Sequence, residues 1–159
     1  MGKPLSIQIH PNIKRRGELY KTFPEIYKDS NHKPEMFVPI SEKFELLFWF
    51  KSLDLAYETL DFYKDCFDFS EAKEFLAKKD ILNYSSFIKK AFKLEPEVYE
   101  EILKKIIKMK SNVENTKLII FLNWNYGNDL GIIVELFMNH MNYKNGDTLY
   151  IGPDFRKLI

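Results

Sequence analysis

Cysteine is nearly missing from this chain of 159 residues, and the lone Cys66 excludes an intramolecular disulfide and any multi-cysteine zinc site. Net charge is almost absent as well. With 24 Lys+Arg against 23 Asp+Glu the formal charge is +1, so no global field draws the protein onto nucleic acid or an acidic membrane. No apolar run reaches the length of a membrane span, because Glu45 and Lys51 interrupt one candidate and Glu135 and Asn139 the other. The opening MGKPLSIQIH holds no signal-peptide core, and Gly2 with Ser6 is a thin match to the acylation pattern, so a cytoplasmic protein is expected. Also missing are a Gly-rich phosphate loop, a Gly-x-Ser-x-Gly elbow and a His-Glu-x-x-His helix. These absences predict a protein that is not an enzyme and carries no cofactor and no metal. What is present is core material: 45% hydrophobic residues, 16% of the chain aromatic. That amount suits one domain over residues 1–159.

Five of the seven prolines (Pro4, Pro11, Pro24, Pro34, Pro39) fall in the first forty residues, which predicts short extended pieces there rather than helices. Leu5 to Ile9, Met36 to Ile40 and the aromatic Lys43 to Lys51 read as strands. From Ser52 the apolar period lengthens. Leu53, Ala56, Tyr57, Leu60, Tyr63 and Phe67 predict a helix capped by Ser52, and further helices follow near Ser70, over Tyr84 to Phe92 and from Pro96 to Lys110. In the last of these, Val98, Tyr99, Ile102, Leu103, Ile106 and Ile107 form the apolar stripe, with glutamates at its start and lysines at its end. Lys117 to Trp124 reads as a strand ending in a turn, Asn125 to Asp129. Leu130 to Tyr143 fits strand or helix, and Asn145-Gly146 before DTLYIG signals a hairpin that favours an antiparallel meander. The predicted fold is α+β: an antiparallel sheet of N- and C-terminal strands packed against a central group of about four helices. Leu60, Phe87, Tyr99, Leu103 and Ile120 are expected in its core.

Three histidines, His10, His32 and His140, lie far apart without a second ligand at metal spacing; a composite site of His10 and His140 is conceivable, surface or rim positions simpler. Cys66 stands between Asp65 and Asp68, which would raise its thiol pKa, so it reads as structural. The loop containing Trp124, Tyr126 and Asp129 is a secondary candidate site, alone or with His140 as a small-molecule pocket, against the simpler reading of a strand-ending turn with Gly127 at positive φ. Lys14 to Arg16 with Lys89, Lys90 and Lys93 are the residues a nucleic-acid binder would use, though nucleic acid is an improbable partner for a chain with so acidic a helix.

Charge is the sharper pattern. Asp54, Glu58, Asp61, Asp65 and Asp68 fall at offsets of 0, 4, 7, 11 and 14, forming one acidic ridge if a single helix carries them all. Like charges so spaced cost a helix about 0.2–0.5 kcal/mol per pair. A solvated face is the plain explanation, and a docking surface for a basic protein is the functional one. With the acidic helix, the Leu122-Asn123-Trp124 segment, the Gly127 to Gly131 turn and the terminal GDTLYIG, the chain resembles the bacterial immunity proteins that neutralise toxin domains. That resemblance implies a cytoplasmic, non-enzymatic inhibitor occluding a basic toxin surface through the ridge.

Overall fold

A computed structural model describes residues 11–32, 34–40, 42–109, 114–127 and 129–152. It combines helices with small antiparallel sheets, an α+β fold as expected. Two compact units emerge: one contains Phe50–Met138, the other the described parts of Leu5–Trp49 and Asn139–Ile159.

The Phe50–Met138 unit is helical. Helix α2 (Leu53–Phe62) starts where expected, Ser52 Oγ accepting from the Leu55 N–H at 3.4 Å, and it buries Ala56 and Leu60. A 3₁₀ turn, Lys64–Cys66, follows; then α3 (Ser70–Ala77), α4 (Ile81–Ala91, capped by Asp80) and α5 (Pro96–Lys108). In α5 the buried stripe is Tyr99, Ile102, Leu103 and Ile106, whereas Val98 turns outward. Glu100–Lys104 at 3.2 Å and Glu101–Lys105 at 2.8 Å join successive turns of its solvent face. Phe67, Phe87 and Phe137 meet edge to face at the centre, with ring centroids 4.8–5.9 Å apart. Such pairs add stabilisation beyond their buried area.

Residues expected as a strand, Lys117 to Trp124, are helix α6 (Glu114–Tyr126). The stretch LIIFL is apolar at every position, so its period carries no information, and packing against α5 and α7 (Gly131–Glu135) decides. Thr116, Ile119 and Leu122 face inward at three-residue intervals. Ile120, expected in the core, is 42% exposed for that reason. Leu60, Phe87, Tyr99 and Leu103 are buried as expected. Gly127, at φ +65°, ends α6 with its N–H donated to Asn123 O.

The other unit holds α1 (Ile13–Thr22), β1 (Glu35–Phe37), most of β2 (Phe44–Phe50) and β3 (Met138–Tyr143), and β4 (Leu149–Ile151). The prolines do not exclude α1, which lies wholly between Pro11 and Pro24 and is capped by Asn12 on the Arg15 N–H at 2.7 Å. The strand expected at Leu5 to Ile9 lies outside the described residues. Leu130 to Tyr143 resolves into both alternatives in succession, α7 then β3. Asn145-Gly146 does turn the chain, Gly146 adopting φ +97°, but the strands it joins do not pair with each other. β3 pairs with β2, and β4 with β1 in the register Glu35↔Ile151, Met36↔Tyr150, Phe37↔Leu149. The expected meander is therefore two ladders, each joining an N-terminal to a C-terminal strand.

Candidate functional site

The polar groups best held in the second unit lie on the run Tyr27 to Glu35. Arg16 projects from α1 toward it: Nε donates to Asp29 O at 3.0 Å, Nη2 lies 3.6 Å from Asp29 Oδ2, and the guanidinium stands 4.9 Å from the centroid of the Tyr27 ring. Asp29 Oδ1 in turn accepts the Asn31 N–H at 2.9 Å. Next comes His32, partly buried, whose Nδ1 is shielded from solvent and has no hydrogen-bond partner among the described residues. Pro34 has a fixed φ and no N–H to donate, and Glu35 opens β1 opposite Ile151. The run thus ends in an imidazole and a carboxylate three residues apart, the side-chain types that move protons near neutral pH.

On the second ladder, His140 Nε2 of β3 lies 3.3 Å from Glu45 Oε2 of β2. Glu45 also pairs with Lys43, and chiefly that contact holds its carboxyl below the usual carboxylate range. His10 lies outside the described residues, so the composite His10–His140 site has only its second member placed. Among the described residues no three His, Cys, Asp or Glu side chains are grouped so as to hold a metal ion.

The other candidates are dispersed. Only Asp54, Glu58 and Asp61 belong to α2; Asp65 falls in the 3₁₀ turn and Asp68 beyond it, so the five acids do not share one helix. Asp54 pairs with Lys79, Asp61 with Lys64 at 3.2 Å, and Asp68 with Lys73. Trp124 and Tyr126 lie on α6 rather than in a loop, Trp124 being 85% exposed. Asp129 Oδ1 accepts the Gly131 N–H at 2.7 Å, and Tyr99 donates its hydroxyl to Asp129 O. A surface cavity of about 250 Å³ lies elsewhere, lined by Glu100, Leu103, Lys104, Ile107 and Asn123. Of the basic groups at Lys14 to Arg16, Arg15 pairs with Glu18 at 3.0 Å and Arg16 faces Asp29, while Lys89 and Lys90 close the last turn of α4. Cys66 is buried with Sγ 3.7 Å from Met109 Sδ; burial first, and Asp65 after it, pushes its thiol pKa up.

Sequence reasoning passed over Asp29 to Glu35 because it sought a second His or Cys at metal spacing. The available signal was density: Asp29, Asn31, His32, Lys33 and Glu35 fall within seven residues beside a rigid Pro34.

A family model for the catalytic domain of phosphomannose isomerase type I matches residues 1–53, which include this run. Mannose-6-phosphate isomerase 1 of Arabidopsis thaliana is 29% identical over 170 residues, covering 97% of this chain and 39% of the relative. Mannose-6-phosphate isomerase of Candida glabrata is 30% identical, covering 94% and 40%. The chain thus spans about two fifths of the length of these relatives. Among solved structures, mannose 6-phosphate isomerase from Salmonella typhimurium bound to substrate (f6p) and zinc superposes with a TM-score of 0.83 at 19% identity, over 98% of this chain and 44% of that one. A zinc-bound holo mannose 6-phosphate isomerase gives 0.84 at 19% identity, over 98% and 43%. The chain has the fold of that part of these structures. These findings overturn the resemblance to immunity proteins and, with it, the non-enzymatic inhibitor, the toxin partner and the expectation that the chain is no enzyme. Neither the Trp124–His140 pocket nor the nucleic-acid reading finds support in them. Among the described residues no helix is long and apolar enough to cross a membrane.

Proposed function

We propose that this chain supplies part of the catalytic domain of a sugar-phosphate isomerase acting on mannose 6-phosphate. The observation that carries the reading is similarity to mannose-6-phosphate isomerases over more than nine tenths of the chain, with the family match falling on the segment that holds His32 and Glu35. Interconverting an aldose and a ketose phosphate moves a proton between C2 and C1 and another between their oxygens. It therefore needs groups that accept and return protons near neutrality. His32 and Glu35 are described residues of the matched segment with that chemistry, three positions apart. By themselves the described side chains do not fit a zinc centre, so no step is assigned to a metal. A cytoplasmic location is part of the proposal, supported by the single buried Cys66.

The test is to follow mannose 6-phosphate with the purified protein by proton NMR in deuterated water. The expected result is conversion to the ketose isomer with exchange of a carbon-bound proton. No conversion, together with unchanged protein amide shifts at millimolar mannose 6-phosphate, would refute the reading.

A further inference from the structure

Arg16 makes three kinds of contact with a turn thirteen residues ahead of it: a hydrogen bond to a carbonyl, an ion pair with a carboxylate and a cation–π contact with a ring. Its side chain is only 14% exposed, unlike its neighbour Arg15. We propose that Arg16 is the positioning residue of the Asp29 to His32 turn, setting the orientation of His32. The force path is short. Arg16 fixes both the main chain and the carboxylate of Asp29; that carboxylate fixes the Asn31 N–H; and His32 follows directly. At its far end the run is fixed by the pairing of Glu35 with Ile151. With Asp29 and the Asn31 N–H both held, His32 follows from a fixed neighbour. A lysine at position 16 would keep the charge but lose the fork that binds carbonyl and carboxylate together, so it would restore the arrangement only in part. What the run is positioned for rests on the isomerase reading; that Arg16 positions it rests on the geometry alone.

The experiment uses the whole chain, nitrogen-15 labelled, with Arg16→Gln, Arg16→Lys and Asp29→Asn. Three signals are followed: the chemical shifts of the His32 ring nitrogens, exchange of the Asn31 amide, and exchange of the Leu60 and Phe87 amides as controls. In Arg16→Gln the Asn31 amide is expected to exchange about tenfold faster or more, with the His32 ring signals displaced and the controls unchanged. Arg16→Lys recovers part of both effects. Asp29→Asn keeps the carbonyl acceptor and loses the carboxylate charge, so it gives a smaller effect of the same kind and serves should Arg16→Gln fold poorly. In the isomerase assay Arg16→Gln loses about tenfold or more in kcat with KM within about twofold, as misplacement of reacting groups does, and Arg16→Lys falls between. Asn31 and His32 signals in Arg16→Gln identical to wild type would overturn the proposal, as would control amides loosened to the same degree as Asn31. A wild-type protein that neither turns over mannose 6-phosphate nor shifts its amides in its presence refutes the isomerase reading alone, because the nitrogen signals still decide the role of Arg16.

Discussion

Glu135 is the most consequential ionisable group in the interior. It ends α7 with 4% of its surface exposed, and burial raises its carboxyl pKa from 4.5 to about 8, with Lys51 opposing the rise. Lys51 is itself committed, donating to Leu136 O at 2.7 Å and to Thr59 Oγ1 at 3.1 Å. The pH dependence follows from linkage. Below 4.5 the carboxyl is protonated in both folded and unfolded chains, and its contribution to stability is fully present. As pH rises, the unfolded chain releases the proton first, so stability is lost until the folded group also titrates near 8. Across that interval, at about 1.4 kcal/mol per pH unit, the loss is on the order of 5 kcal/mol, a large share of a domain's stability. Glu135→Gln keeps the shape and removes the proton. Urea denaturation of both proteins from pH 5 to 8.5 should therefore show the variant gaining steadily on wild type and leading by several kcal/mol at the alkaline end. A difference between the two that stays flat across the series would refute the argument and place the carboxylate in contact with water.

Replacing Lys51 with Met removes the charge that holds Glu135 down, so the pH-dependent loss should extend to higher pH in the same denaturation series. Phe87→Ala opens the centre of the aromatic cluster and should cost about 3–5 kcal/mol by chemical denaturation. Tyr63 and Thr116 share a buried hydrogen bond of 2.7 Å; Tyr63→Phe and Thr116→Val should each cost about 1–3 kcal/mol, and the double variant less than their sum in a mutant cycle. On α6, Ile119→Lys should unfold the protein whereas Ile120→Lys leaves its thermal midpoint nearly unchanged; equal effects would contradict the helix and its facing.

The helices from Leu53 to Lys108 are legible in the sequence because polar and apolar residues alternate there at the helical period, and because Ser52 and Pro96 mark two of their starts by chemistry that acts within one turn; the Asp80 cap of α4 shows only in the structure. α6 is not legible, since a stretch apolar on every side has no preferred period until α5 and α7 choose one face. Strand pairing is hidden for a related reason. Asn145-Gly146 reports only a local turn, while the partners of β3 and β4 lie roughly a hundred residues away at Phe44–Phe50 and Glu35–Phe37, chosen by contacts that no window of sequence contains. The same limit shaped the acidic ridge. Offsets of 11 and 14 from Asp54 imply a shared face only if the helix continues, and it stops at Phe62; the lysine that answers Asp54 is Lys79, twenty-five residues on. Arg16 and Asp29 repeat the lesson at the candidate site. Each is an ordinary charged residue in the chain, and only their meeting ties α1 to Asp29. Local chemistry is thus written where it acts, whereas a site assembled across thirteen residues becomes visible only once the backbone has closed.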